Sequence, residues 1–101
     1  MHPAYRRQRS QIPPDDAELI SIKALAFLAE DTERMAQFLN VTGLDADSLR
    51  DRVRNHKFLA EILNYLLTDE SLLLVFCSNS GIEPSLIGPA QRTLENADRT
   101  E

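Results

Sequence analysis

Apolar residues recur at helical spacing from about residue 16 to residue 96, and no stretch alternates with a period of two. The pattern predicts helices throughout. Pro13 and Pro14 lead into Asp15-Asp16-Ala17-Glu18, an acid followed three residues later by Glu, which reads as a capping box. It opens helix 1, about Asp16 to Ala29, with Leu19, Ile22, Leu25, Ala26 and Ala29 expected on the core-facing stripe. Phe27 and Leu28 widen that stripe. Asp31 is the expected N-cap of helix 2, whose Met35, Phe38, Leu39 and Thr42 follow helical spacing. Gly43 supplies the left-handed residue that stops a helix, and Leu44 is expected to fold back on Leu39 in a Schellman motif. Asp45 caps a short helix 3, roughly Ala46 to Val53, held by Leu49 and Val53. Helix 4 begins at Asn55 or His56. It carries the stripe Phe58, Leu59, Ile62, Leu63, Leu66 and Leu67, with Glu61 and Asn64 facing out. Thr68-Asp69-Glu70-Ser71 starts helix 5, about Glu70 to Asn79, and Gly81 with Ile82 closes it. Pro89 has no N–H to offer Ser85, so a turn at 84–87 should precede a last helix near Pro89 to Asn96.

The expected fold class is all-α, a single compact bundle of five to six short helices over residues 15–96. Its pattern is written twice. Leu25, Phe27, Leu28, Asp31, Met35, Phe38, Gly43 and Leu44 recur 38 residues later as Leu63, Tyr65, Leu66, Asp69, Leu73, Phe76, Gly81 and Ile82. The echoed positions are core residues, a helix-start acid and a helix-stop glycine. Internal duplication of one helical unit and coincidence among helical sequences both account for the echo. The copies differ at one face: helix 2 carries Arg34 and Gln37 where helix 5 carries Leu72 and Val75. An all-round apolar helix has to be buried. Helix 5 is therefore expected at the centre of the bundle, or with its spare face covered by another subunit.

A chain of 101 residues, 43% apolar and 27% charged, suits one soluble domain. Its formal charge of −5 is uneven: Arg6, Arg7 and Arg9 stand in residues 1–14 without an acid, so the remainder carries −8. Residues 1–14 read as a disordered basic arm, and residues 97–101 as a frayed end. The acidic body should repel nucleic acid and anionic membrane. One cysteine fits a reducing cytosol, the polar N-terminus does not resemble a signal peptide, and the longest apolar run, Leu72 to Cys77, is far too short to span a membrane. The expectation is a cytoplasmic protein.

Candidate chemistry is thin. Cys77 sits among Leu74, Val75 and Phe76 with no base beside it, which is the setting of a structural thiol. The acids Asp15/Asp16/Glu18, Glu30/Asp31/Glu33 and Asp69/Glu70 all fall at helix starts, where capping explains them without a metal. Arg50, Arg52, Arg54, His56 and Lys57 form the one basic cluster of the body, but Asp45, Asp47 and Asp51 share the stretch. A helix-turn-helix built on helices 2 and 3 would carry those aspartates toward phosphates, which is electrostatically wrong. No catalytic residue, metal site or cofactor is expected.

The string Ala24-Leu25-Ala26-Phe27-Leu28-Ala29-Glu30-Asp31, then Phe38-Leu39 and Thr42-Gly43-Leu44, resembles a bacterial family, domain of unknown function 3572, found mainly in alphaproteobacteria. Phe58-Leu59, Leu66-Leu67, Asp69-Glu70-Ser71-Leu72-Leu73, Phe76, Gly81 and Pro84 extend the resemblance over roughly residues 16–95. It implies a compact helical cytoplasmic protein and carries no catalytic residue with it. The function expected is a non-enzymatic interaction or regulatory module that binds another protein or itself, with Leu72 and Val75 as the contact. The alternative is nucleic-acid binding through the arm and the Arg50, Arg52, Arg54 and Lys57 patch.

Overall fold

Small residues decide where the core of this protein lies. Ala17, Ser21 and Ala24 stand at spacings of four and three on one face of the first helix, and all three are fully buried. A face of such narrow side chains lets a neighbouring backbone approach closely. The Ser21 hydroxyl uses that approach to donate to the Leu59 carbonyl at 2.7 Å. The structure, a computed structural model, describes residues 12–97. Its helices are α1 (Pro14–Ala29), α2 (Thr32–Thr42), α3 (Leu49–Arg52), α4 (His56–Leu67), α5 (Glu70–Ser80) and α6 (Ile87–Ala97). Single 3-10 turns at Ala46–Ser48 and Pro84–Leu86 precede α3 and α6. Among the described residues there is no strand.

The core is the three-helix group α1, α4 and α6, with α6 laid most extensively on α4 and then on α1. Helix α4 is its centre: Phe58, Leu59, Ala60, Ile62, Leu63 and Leu66 are all buried. Leu67, the last member of the expected stripe, stands at the edge and is exposed. Helix α5 is not the central element. It buries only Phe76 and Cys77 and leans on the core from outside, so its all-round apolar sequence does not make it a core helix. Helix α1 also turns a different face inward from the one its bulky residues suggested. Ala17, Ser21, Ala24, Phe27 and Leu28 are buried, whereas Leu19, Ile22, Ala26 and Ala29 are exposed. Hydropathy favours large side chains, but the tight seam with α4 requires small ones.

The helix-start acids behave as their positions predict. Asp31 accepts from the Glu33 and Arg34 amides at 2.9 and 3.2 Å, Asp69 from Leu72, and Asp45 from Asp47. Asn55 caps α4 through the Phe58 amide at 3.0 Å. Asp15 does not cap α1. That helix begins at Pro14 with Pro13 as its N-cap residue and no side-chain cap, because a proline at the first position costs no N–H bond. Of the expected arm, residues 1–11 lie outside the described residues. Ile12 already packs on the core, and its carbonyl accepts from the Thr93 hydroxyl at 2.8 Å. Helix α6 takes Gly88 and Pro89 into its first turn, where proline is tolerated, so it begins two residues before the expected Pro89. Of the expected frayed end, residues 98–101 lie outside the described residues.

The 38-residue echo is architectural. Helices Thr32–Thr42 and Glu70–Ser80, the turns Ala46–Ser48 and Pro84–Leu86, and the helix starts Leu49 and Ile87 all repeat at that offset. Gly43 and Gly81 take φ of 74° and 75°. Each donates its amide to the carbonyl four residues back, Leu39 or Cys77, at 2.9 Å. This is the simpler left-handed cap rather than the expected Schellman pair. The carbonyl one residue earlier, Phe38 or Phe76, is taken instead by the Thr42 or Ser80 hydroxyl at 2.8 Å. Equivalent residues also meet. Glu18 touches His56 at 2.5 Å and Ser21 bonds Leu59, both pairs being 38 apart. Contacts that advance in step on both helices mean that α1 and α4 run in the same sense. The aromatic rings pair across the halves: Phe27 with Phe76 (centroids 5.4 Å) and Tyr65, the counterpart of Phe27, with Phe38 (5.1 Å).

Candidate interaction surface

Helix α5 contains no charged residue between Ser71 and Ser80. Phe76 and Cys77 point into the core, and Leu72 and Leu73 are half-buried against it. The opposite side therefore presents Ser71, Leu74, Val75 and Ser78, at i, i+3, i+4 and i+7, to solvent. Leu74 is 46% exposed and Val75 42%. Of the two residues that the sequence singled out here, Val75 lies on the surface, while Leu72 turns toward the core and contributes little to it. Leu74 takes its place.

Helix α1 supplies the second part. Leu19 is 53% exposed and Ile22 45%. Leu19, Lys23, Ala26 and Glu30 form one row along its outer side, at i, i+4, i+7 and i+11. A groove of about 260 Å³ runs between the two helices, lined by Lys23, Ala26 and Phe27 of α1, by its C-cap residue Glu30, and by Phe76 and Asn79 of α5. Its floor is the Phe27–Phe76 ring pair. Ile22 stands one turn from Ala26, and Val75 one turn from Asn79, so both lips continue as apolar ridges. Arg34 covers Phe27 from α2, with its guanidinium carbon 4.2 Å from the ring centroid. It also donates to the Phe27 carbonyl at 3.5 Å. Arg34 therefore belongs to the packing and not to the wet face expected for helix 2.

The basic residues do not converge. Arg50 and Arg52 lie two apart on α3, so they point to opposite sides, and Arg54 follows in the turn. Lys57 faces a separate polar groove between α4 and α6, which it lines with Glu61, Asn64, Gln91 and Glu95. All four cations are exposed, and none is paired among the described residues. His56 leaves the cluster altogether for Glu18. Cys77 lies in the core and Tyr65 packs against it. Burial raises the Cys77 thiol above its ordinary value. Burial, and secondarily the Asp69 carboxylate, raises the Tyr65 phenol. A raised thiol pKa suppresses the thiolate, the opposite of what a nucleophilic cysteine requires.

The site is thus a shallow apolar groove between two helices on a small all-α domain. A sequence profile described as protein of unknown function (DUF3572) matches residues 14–97, and the chain belongs to that family. No curated protein and no solved structure matches the chain. Among the described residues no helix is long and apolar enough to cross a membrane.

Proposed function

We propose that the protein is a non-enzymatic helical module that binds another polypeptide along the α1–α5 groove. The observation that carries this reading is the uncharged outer side of α5, with Leu74 and Val75 in solvent, beside the exposed Leu19 and Ile22 of α1. Apolar side chains flanking a groove with an aromatic floor are what an amphipathic helix seeks. Rigid three-helix packing beneath the groove lets it bind without reordering, which lowers the cost of association. The nucleic-acid alternative has less support, since Arg50, Arg52, Arg54 and Lys57 diverge over a body of net negative charge. A cytoplasmic location suits the single buried thiol.

Photocrosslinking in cells tests the reading, with a reactive residue placed at position 75 or, as a control, at Val41 of α2. Discrete crosslinked species from position 75 that vanish when Ile22→Arg is introduced are expected. Equal or no crosslinking from both positions would end this proposal. Titration against labelled DNA and RNA at low salt should give no shift. A shift that weakens steeply with salt would favour the alternative.

A further inference from the structure

The charges on the groove have a feature that the apolar lips do not explain. Lys23 and Glu30 are both exposed, and neither side chain has an ion-pair or hydrogen-bond partner among the described residues. Seven residues separate them, about 10 Å along the helix, so they cannot pair with each other. They carry opposite signs, lie on the same row of α1, and flank Ala26, the small residue at the middle of the row. We infer that the occupant of the groove is a second copy of this chain, docked with the two α1 helices antiparallel about Ala26. Antiparallel docking about that point puts Lys23 of each copy opposite Glu30 of the other, twice, as a closed two-fold interface requires. Ala26 on the axis lets the two backbones approach. A parallel arrangement, or a shift by one turn, would set like charges together or leave them unpaired. The inference rests on the proposal that the groove binds a polypeptide, and it names the partner.

Sedimentation velocity of the full-length chain, from about 1 μM to about 1 mM, provides the test. The wild-type chain should shift from one chain mass toward twice that mass as concentration rises. Lys23→Glu and Glu30→Lys should each weaken this association by about tenfold or more, because each places like charges opposite one another. The double variant K23E/E30K restores opposite signs and should return dimerisation to near the wild-type level. Circular-dichroism melts at a concentration where all four proteins are monomeric should be alike, since both positions are exposed. A wild-type chain that stays monomeric across the range overturns the inference. So does a double variant no better than the single ones. Monomeric wild type together with a dimer on deleting residues 1–11 would identify that segment as the occupant instead. Monomeric wild type with crosslinking retained at position 75 would discard the second copy and leave the binding-module reading standing.

Discussion

Helices α2 and α5 have matching bounds and ends at two places in the chain, and they carry different outer faces. They share length, the cap aspartates Asp31 and Asp69, the buried rings Phe38 and Phe76, and the terminal glycines Gly43 and Gly81. Their inward sides also correspond, since Arg34 and Leu72 both lie half-buried, the first stacked on Phe27 and the second packed on the core. The outward positions diverge as well. Glu33, Ala36, Gln37 and Asn40 on α2 face Ser71, Leu74, Val75 and Ser78 on α5 in the alignment of the two halves. Fold and surface are therefore separable here. The cap, the buried ring and the terminal glycine are held in common, and the residues that would meet a partner are not.

That separation can be broken in order of size. Phe38→Ala and Phe76→Ala should each cost about 3–5 kcal/mol, because both rings are fully buried and leave similar cavities. Urea denaturation of the two variants should give midpoints close to each other. A large gap would show that the halves are not energetically equivalent. Gly43→Ala and Gly81→Ala should each cost about 1–2 kcal/mol, for an L side chain held in the left-handed region. An added Cβ meets nothing within 4 Å at either glycine, so the two penalties should match. Exchange of the outer residues comes next. Leu74→Gln should alter stability by no more than about 0.5 kcal/mol yet abolish crosslinking from position 75, and Gln37→Val should not create crosslinking at Val41 without a groove beside it.

The smallest effect is on pH. Cys77, the counterpart of Leu39, and Tyr65, the counterpart of Phe27, are neutral when protonated, and both titrate higher in the folded chain. Their contribution to stability is complete below the ordinary thiol value of 9.0 and is lost as pH rises through the raised native values. The wild-type midpoint should consequently fall more steeply above that pH than the midpoint of Cys77→Leu. Parallel curves would remove the thiol from this account. A thiol reagent at neutral pH should react with Cys77 only at the rate of local opening.

Helix ends were legible in the sequence, and helix faces were less so. A cap is a local matter: Asp31 and Asn55 need only amides two or three residues on, and Gly43 needs only its own missing Cβ. Which side of a helix is buried depends on what lies across from it. Leu19 and Ile22 outrank Ala17 and Ser21 on any hydropathy scale, yet the close seam with α4 admits only the smaller pair. The spacing Ala17, Ser21, Ala24 was a visible sign of such a seam, and it pointed to the outer row with Lys23 and Glu30. Helix α5 failed as the centre for a related reason. An apolar sequence shows that a helix tolerates burial on every side and leaves open how many neighbours the chain provides. The spread of Arg50, Arg52, Arg54 and Lys57 was readable from periodicity, whereas the departure of His56 to Glu18 required the fold.

The clasp between Thr93 and Ile12 has a practical corollary. It holds the first and last turns of the domain side by side, and Ala97 lies only about 6 Å further along its helix. Whatever is attached upstream and whatever is attached downstream would therefore leave from one corner. A tether at either end would act as a pivot about the same point and would leave the remaining surface free to turn outward.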